Sequence, residues 1–200
     1  MNVREQFGEI DIYLFDQLLK GRLTAEMAIL DAGCGGGRNL VYFLREQFQV
    51  FAVDIHPEAV AYVQALAAQL APQLPAANFR SADIAALPFA DAQFDLVISN
   101  AVLHFARDEN HFDQMLAEMW RTLKPGGMLF ARLASSIGIE SLVQPIGSGW
   151  YSLPDGSDRF LVDEAKLIAA AERLQATWLE PLKTTNVANM RCMTTWVLRK

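Results

Sequence analysis

The side chains best suited to holding a polar ligand gather around one glycine-rich turn and the ends of several apolar runs. Asp31-Ala32-Gly33-Cys34-Gly35-Gly36-Gly37 follows the apolar run MAIL and leads into a helical pattern, which makes it a tight strand-to-helix turn. The missing side chains of Gly33 and Gly35 let a ligand approach the backbone closely, and the first amides of the next helix have no acceptor within it. Asp31 sets a carboxylate directly before that turn. A cationic group there gains on the order of several kcal/mol before desolvation is counted. Asp54 closes the run QVFAVD, and a carboxylate accepts from both hydroxyls of a ribose at once. Asp83 and Asn100 close two further runs. Asp83, in Ser-Ala-Asp, serves equally well as a turn or helix cap.

Two other nucleotide loops are the nearest competitors. The dinucleotide fingerprint needs a third glycine where Arg38 stands, and the Asp31 carboxylate would repel a diphosphate; no Gly-Lys-Ser/Thr follows for a nucleoside-triphosphate loop. His104, just after the run FDLVISN, has a side chain whose ordinary pKa lies near neutral pH and is the candidate to deprotonate or orient a reactant, or else to bond the backbone. His56 reads as a helix-start residue and His111 as a solvated one. Arg132 ends another run and suits an acidic reactant or an ion pair. Trp150, Tyr151 and Arg159 sit in a glycine- and proline-bearing stretch, 134–160, which reads as a long irregular insertion and hence a lid over the reactant, with Tyr151 touching that reactant or else packed locally.

The elements that position these groups alternate. MAILDAG, QVFAVDI, NFRSADI, FDLVISN and MLFARL read as strands, with helices over RNLVYFLREQF, from Pro57 to about Leu70, over the face marked by Phe112, Met115, Leu116, Met119, Trp120 and Leu123, and over DEAKLIAAAERL. Strands apolar on both faces and alternating with helices predict an α/β fold with a largely parallel, helix-covered sheet. In such a sheet, ligands bind at the carboxyl ends of the strands, where Asp31, Gly33, Asp54, Asp83 and Asn100 all fall. An N-terminal helix over 1–22, with Phe7, Ile10, Leu14 and Leu18 on one face, precedes this unit, and Phe7, Ile10 and Tyr13 either close the ligand pocket or pack in the core. Residues 1–200 read as a single domain.

As a set these motifs resemble the class I S-adenosylmethionine-dependent methyltransferases. ILDAGCGGGRN is similar to the family's first motif, AVDIHPEAV to its second, SADIAALPFADAQFDLVISNAVLHF to its third and fourth, and LKPGGMLFARL to the turn that follows. The resemblance implies a Rossmann-like, seven-stranded, mostly parallel sheet with an antiparallel last strand, formed by ATWLEPLKTTNV and MRCMTTWVLRK. It implies S-adenosyl-L-methionine as cofactor, with its methionine moiety against Asp31, Gly33 and Gly35. The ribose would lie on Asp54, the adenine beside Ile55, Asp83 and Ile84, and Asn100 would line the transfer pocket. A sulfonium is already an activated electrophile, so alignment, worth about 7–11 kcal/mol, is the main requirement. The acceptor is expected to be a small molecule. Ser99-Asn100-Ala101-Val102 replaces the Asn-Pro-Pro-Tyr type motif of base and glutamine methylation, and two cysteines are too few for arsenite chemistry. A nicotinamide-dependent oxidoreductase and a non-catalytic S-adenosylmethionine-binding module are the alternatives.

Composition agrees. A hydrophobic share of 52% and a charged share of 20% exclude a disordered chain. A net charge of -6 argues against nucleic acid and anionic membranes as partners. Cys34 and Cys192 do not make a disulfide framework or a thiolate metal cluster, and the charged start MNVREQFGEIDIYLFDQ lacks a leader, so a cytoplasmic location is expected. The uncharged stretch from Ala59 to Phe79 is Ala- and Gln-rich and broken by Pro72 and Pro75, a helix and loop and not a membrane span.

Overall fold

The computed structural model describes residues 2–200. The expected first helix is two: α1 (Val3–Phe7), capped by the Asn2 side chain, and α2 (Ile12–Leu19), capped by Asp11. Gly8, at φ 63°, makes the break, and a Cβ there would stand 2.8 Å from Val41 Cγ2, so the kink presses against the helix after the glycine turn. Phe7 stacks on Tyr42, and the Tyr13 hydroxyl meets Thr185 Oγ1 at 2.9 Å. Phe7, Ile10 and Tyr13 thus pack into the body of the molecule and do not close the ligand pocket.

Strand β1 (Ala28–Ala32) is followed by α3 (Val41–Arg45), β2 (Gln49–Asp54), α4 (Pro57–Leu70), β3 (Phe79–Ser81), β4 (Phe94–Asn100), α5 (Glu109–Thr122) and β5 (Leu123–Ser135). Helix α3 is shorter than the apolar pattern implies, because Gln47, at φ 59°, turns the chain back into β2. After β5 come β6 (Gln144–Gly147), β7 (Trp150–Ser152), β8 (Asp158–Phe160), α6 (Glu164–Arg173), β9 (Thr177–Trp178), β10 (Lys183–Val187) and β11 (Arg191–Arg199).

The main sheet runs β10-β11-β5-β4-β1-β2-β3. Its β3, β2, β1, β4 and β5 pair in parallel, while β11 lies antiparallel between β5 and β10. This is the expected Rossmann-like α/β path of seven strands. An eighth, two-residue strand, β9, adds to β11, since Pro181 interrupts the run expected as one strand.

Alternation along each strand divides the core between two faces. Val97, Leu129, Leu133 and Trp196 pack with Phe112, Leu116 and Met119 of α5 and Leu167 of α6. Leu96, Ile98, Phe130 and Val197 pack on the other face with Leu14, Phe43, Leu44, Val60 and Val63. A side-chain period of two makes each strand apolar on both sides, as a helix-covered parallel sheet requires.

The segment 134–160 is not irregular. After β5 ends, β6, β7 and β8 form an antiparallel sheet of three strands. The glycines and Pro145 that suggest a loop serve as its corners and edge: Gly147, Gly149 and Gly156 all have positive φ, and Pro145 lies on an edge strand, where its missing N–H costs nothing. Among the described residues no helix is long and apolar enough to cross a membrane.

Candidate active site

The carboxyl ends of β1, β2 and β4 open onto a cavity of about 730 Å³. Its floor is the glycine turn. Gly33 and Cys34 donate their backbone N–H groups to Val53 O, at 2.8 and 2.9 Å, which ties the turn to the end of β2. Gly33 has φ 90°, and a Cβ there would stand 2.4 Å from Val102 Cγ2; only glycine fits between strand end and side chain. Gly35 differs. Its φ is also positive, but nothing lies within 4 Å of where its Cβ would be, so the open space in front of it belongs to the cavity.

Asp54 is held from two sides. Its Oδ2 accepts from Gly35 N–H at 2.8 Å and its Oδ1 from His56 N–H at 3.0 Å, fixing the carboxylate while each oxygen keeps a further lone pair. Ile55 beside it is 62% exposed, an apolar shelf at the cavity wall. Asp83 caps the turn Ile84–Ala86 through Ala85 N–H at 2.8 Å and also lines the cavity.

Of the expected ligand residues, Gly33, Gly35, Asp54, Ile55, Asp83, Ile84 and Asn100 line this cavity. Asp31 does not. It is buried behind the turn, and burial, opposed by the Arg38 charge and reinforced by Asp54, pushes its carboxyl up to about 7. Its register partners on the two flanking strands are Ala52 and Ile98, and it sits one residue inside the end of β1.

Arg38, set aside at the sequence level as the missing third glycine, enters the cavity and donates to Asn100 Oδ1 at 2.8 Å. Asn100 Nδ2 is buried without a partner. His111 is not solvated. It is buried and lines the cavity, its Nδ1 accepting from Arg107 N–H at 3.1 Å, so its Nε2 bears the proton, 3.8 Å from Asp83 Oδ1. Its place four residues before Met115, on the inward face of α5, was the available signal.

A second cavity, of about 290 Å³, adjoins the first at Ala101, which lines both. Ala101 sits at φ 63° and donates to Arg132 O at 2.7 Å, a left-handed alanine at the junction. His104 and Arg132 line this second space with Asp155 and Arg159 from the small sheet. His104 Nδ1 accepts from Ala134 N–H at 3.1 Å, so in the neutral ring Nε2 carries the hydrogen. Burial, aided by the nearby Arg159 charge, lowers its pKa to about 4. The backbone bond is one of the uses expected of it, and the neutral ring keeps Nε2–H as a donor. Arg132 lies 3.3 Å from Asp11 Oδ2, and its Nε is buried without a partner. Tyr151, expected at a reactant, reaches neither cavity: β7 turns its ring onto Ala134, Leu153 and Leu161.

A protein-family model described as a methyltransferase domain matches residues 30–131, about half of the chain. This chain belongs to the class I S-adenosylmethionine-dependent methyltransferases. The malonyl-[acyl-carrier protein] O-methyltransferase of Enterobacter lignolyticus is 33% identical over 80% of this chain, and the protein of that name from Erwinia billingiae 32% identical over 78%. The chain spans 60% and 57% of the length of those two relatives. A solved S-adenosylmethionine-dependent methyltransferase from Methanosarcina mazei shares the fold at a TM-score of 0.70, with 20% identity over 92% of this chain and 96% of that one. So does the 1,6-didemethyltoxoflavin-N1-methyltransferase of Burkholderia thailandensis, whose structure holds its substrate and S-adenosylhomocysteine. The score there is 0.70, with 21% identity over 96% of this chain and 79% of that one.

The residues present fit the methyl donor of this methyltransferase family. The turn leaves open space before Gly35 and Gly36, Asp54 offers lone pairs toward it, and Asn100 presents an unpartnered buried amide.

Proposed function

We propose that this chain transfers the methyl group of S-adenosylmethionine to a small-molecule acceptor. The observation that carries this reading is the Asp54 carboxylate, anchored by two backbone amides at the edge of a glycine cradle that adjoins a separate cavity at Ala101. When bound, the cofactor supplies a methyl group on a positively charged sulfur. Asp54 accepts from the ribose hydroxyls, Ile55 and Ile84 flank the adenine and Asp83 meets its amino edge. Gly33 and Gly35 admit the methionine moiety, whose carboxylate Arg38 balances. Asp31 acts from behind the turn as a buried acid that is fully ionised only above about pH 7. His104, neutral and proton-bearing on Nε2, orients an acceptor and does not deprotonate it. The small sheet within 134–160 covers the acceptor, since Leu153, Asp155, Ser157 and Arg159 wall the second cavity.

Titration calorimetry with S-adenosylmethionine, S-adenosylhomocysteine and NADH tests the reading. Binding of the first two, together with S-adenosylhomocysteine formation on an acceptor panel, is expected. Tight NADH binding with no heat from S-adenosylmethionine overturns it.

A further inference from the structure

From the charges and donors of the second cavity we infer that the methyl acceptor is a short-chain carboxylate and that its ionised oxygen is the atom methylated. The inference rests on the methyltransferase reading. Three guanidinium groups line this space, from Arg132, Arg159 and Arg191, against the single carboxylate of Asp155. That carboxylate is engaged by Ser157 Oγ at 2.6 Å and Ser157 N–H at 3.0 Å, and lies 3.7 Å from Arg191. Arg159 gives one N–H to the carbonyl of Asp158 and stacks over Phe105, 5.4 Å from the ring, with no carboxylate within ion-pair distance. Arg132 shares Asp11 with Arg38 and keeps a buried, unpartnered Nε. Cationic donors left without acceptors in a partly dry space are the groups that receive a planar anion.

The protonation states select the reacting atom. His104 cannot take a proton on Nδ1, which already accepts from Ala134, nor on Nε2, which already bears one. Asp155 is tied to Ser157 and Arg191, and the thiol of Cys192, also on this wall, is held neutral by burial. With no base at hand, the nucleophile must arrive with its lone pair free. A carboxylate does so, and it matches the arginines; a hydroxyl needs a base, and an ammonium would be repelled. The acceptor oxygen forms its bond to the methyl carbon as the carbon–sulfur bond breaks, and the electron pair stays on sulfur. No proton moves, and the acceptor's negative charge cancels the sulfonium's positive one. At about 290 Å³ the space lies at the lower limit of small-molecule pockets, which suits a short acyl chain and excludes a polycyclic one.

The experiment uses the intact chain with S-adenosylmethionine and three matched probes: short dicarboxylic acids as half-thioesters of N-acetylcysteamine, the same half-thioesters with the acid converted to a primary amide, and short primary amines. S-adenosylhomocysteine and alkali-labile methyl ester are measured together, and in parallel the S-adenosylhomocysteine complex is titrated with the acid probes. The acids are expected to bind that complex and to give ester in one-to-one proportion with S-adenosylhomocysteine, and the amides and amines to give none. Arg159→Gln, at a half-buried position free of ion pairs, should lower kcat/KM for the acid probe roughly 10- to 100-fold and leave S-adenosylmethionine affinity within about 2-fold, the effect of removing one charge-assisted contact. Arg132→Lys, which keeps the charge beside Asp11, should lose less. The inference is overturned if no acid probe binds the complex, if amides or amines are methylated while acids are not, or if Arg159→Gln turns over the acids unchanged. Any of these with S-adenosylmethionine binding intact leaves the methyltransferase reading standing. Loss of S-adenosylmethionine binding itself would instead remove that reading.

Discussion

Replacing Asp54 by Asn tests how the cofactor cavity is built. The carboxylate accepts from Gly35 N–H at 2.8 Å with one oxygen and from His56 N–H at 3.0 Å with the other. An amide has one oxygen, so its NH2 must face one of those two donors, and that donor loses its acceptor. The cost to the free protein is about 1–3 kcal/mol, the penalty for an unsatisfied, partly buried donor. At pH 8 part of this is returned, because the Asp54 charge helps hold the Asp31 carboxyl high, and its removal eases ionisation of Asp31. On the ligand side, the pair of acceptors offered to two ribose hydroxyls becomes one acceptor and one donor. Losing one charge-assisted bond costs about 1.5–3 kcal/mol, a roughly 10- to 150-fold weaker Kd for S-adenosylmethionine. Calorimetry gives the affinity, and urea unfolding at pH 5 and pH 8 gives the stability. An affinity within 3-fold of the parent chain, with unchanged urea midpoints, would show that Asp54 neither anchors the turn nor meets the ribose.

Two further outcomes follow from the same geometry. Because the Asp31 carboxyl is raised to about 7 by burial, it is protonated in the folded chain at mildly acidic pH while the unfolded chain has it ionised. Stability is therefore lost as pH rises from about 4 through about 7, by on the order of 4 kcal/mol in all. Asp31→Asn should remove that slope, with a stability gain over the parent larger at pH 8 than at pH 5 by about 2–3 kcal/mol in urea unfolding; a gain independent of pH would refute the buried-acid account. Gly33→Ala and Gly35→Ala should separate folding from binding. The first places a Cβ 2.4 Å from Val102 and should lower stability by several kcal/mol. The second meets no atom and should cost only about 1 kcal/mol in stability, yet fill the cradle and weaken S-adenosylmethionine at least 10-fold. Equal Tm losses in the two variants would contradict this division.

Much of the cofactor cavity was legible because its groups are tied to local signals. Gly33 and Gly35 mark a turn, and Asp54 and Asn100 end apolar runs, so their place at the strand ends follows from the fold class alone. Asp31 has the same signals yet is buried, since β2 and β4 close on it from both sides of β1. Arg38 was dismissed for failing one motif, and its contact with Asn100, 62 positions on, is invisible before β1 and β4 pair. Tyr151 lay in a segment whose glycines signalled a loop but formed the corners of a small sheet. There the alternation of β7, and not proximity in sequence, decides where a ring points.

The alternation of apolar strands and helices, the glycine turn and the acids beside it were set by residue type and spacing, because propensity, backbone freedom and charge act over a few neighbouring positions. The second cavity was decided by tertiary structure alone. Its His104, Arg132, Arg159 and Arg191 come from a turn after β4, from β5, from β8 and from β11. Only strand pairing and the folding back of 144–160 bring those charges together, and only the N–H of Ala134, supplied by that pairing, determines which nitrogen of His104 holds its proton.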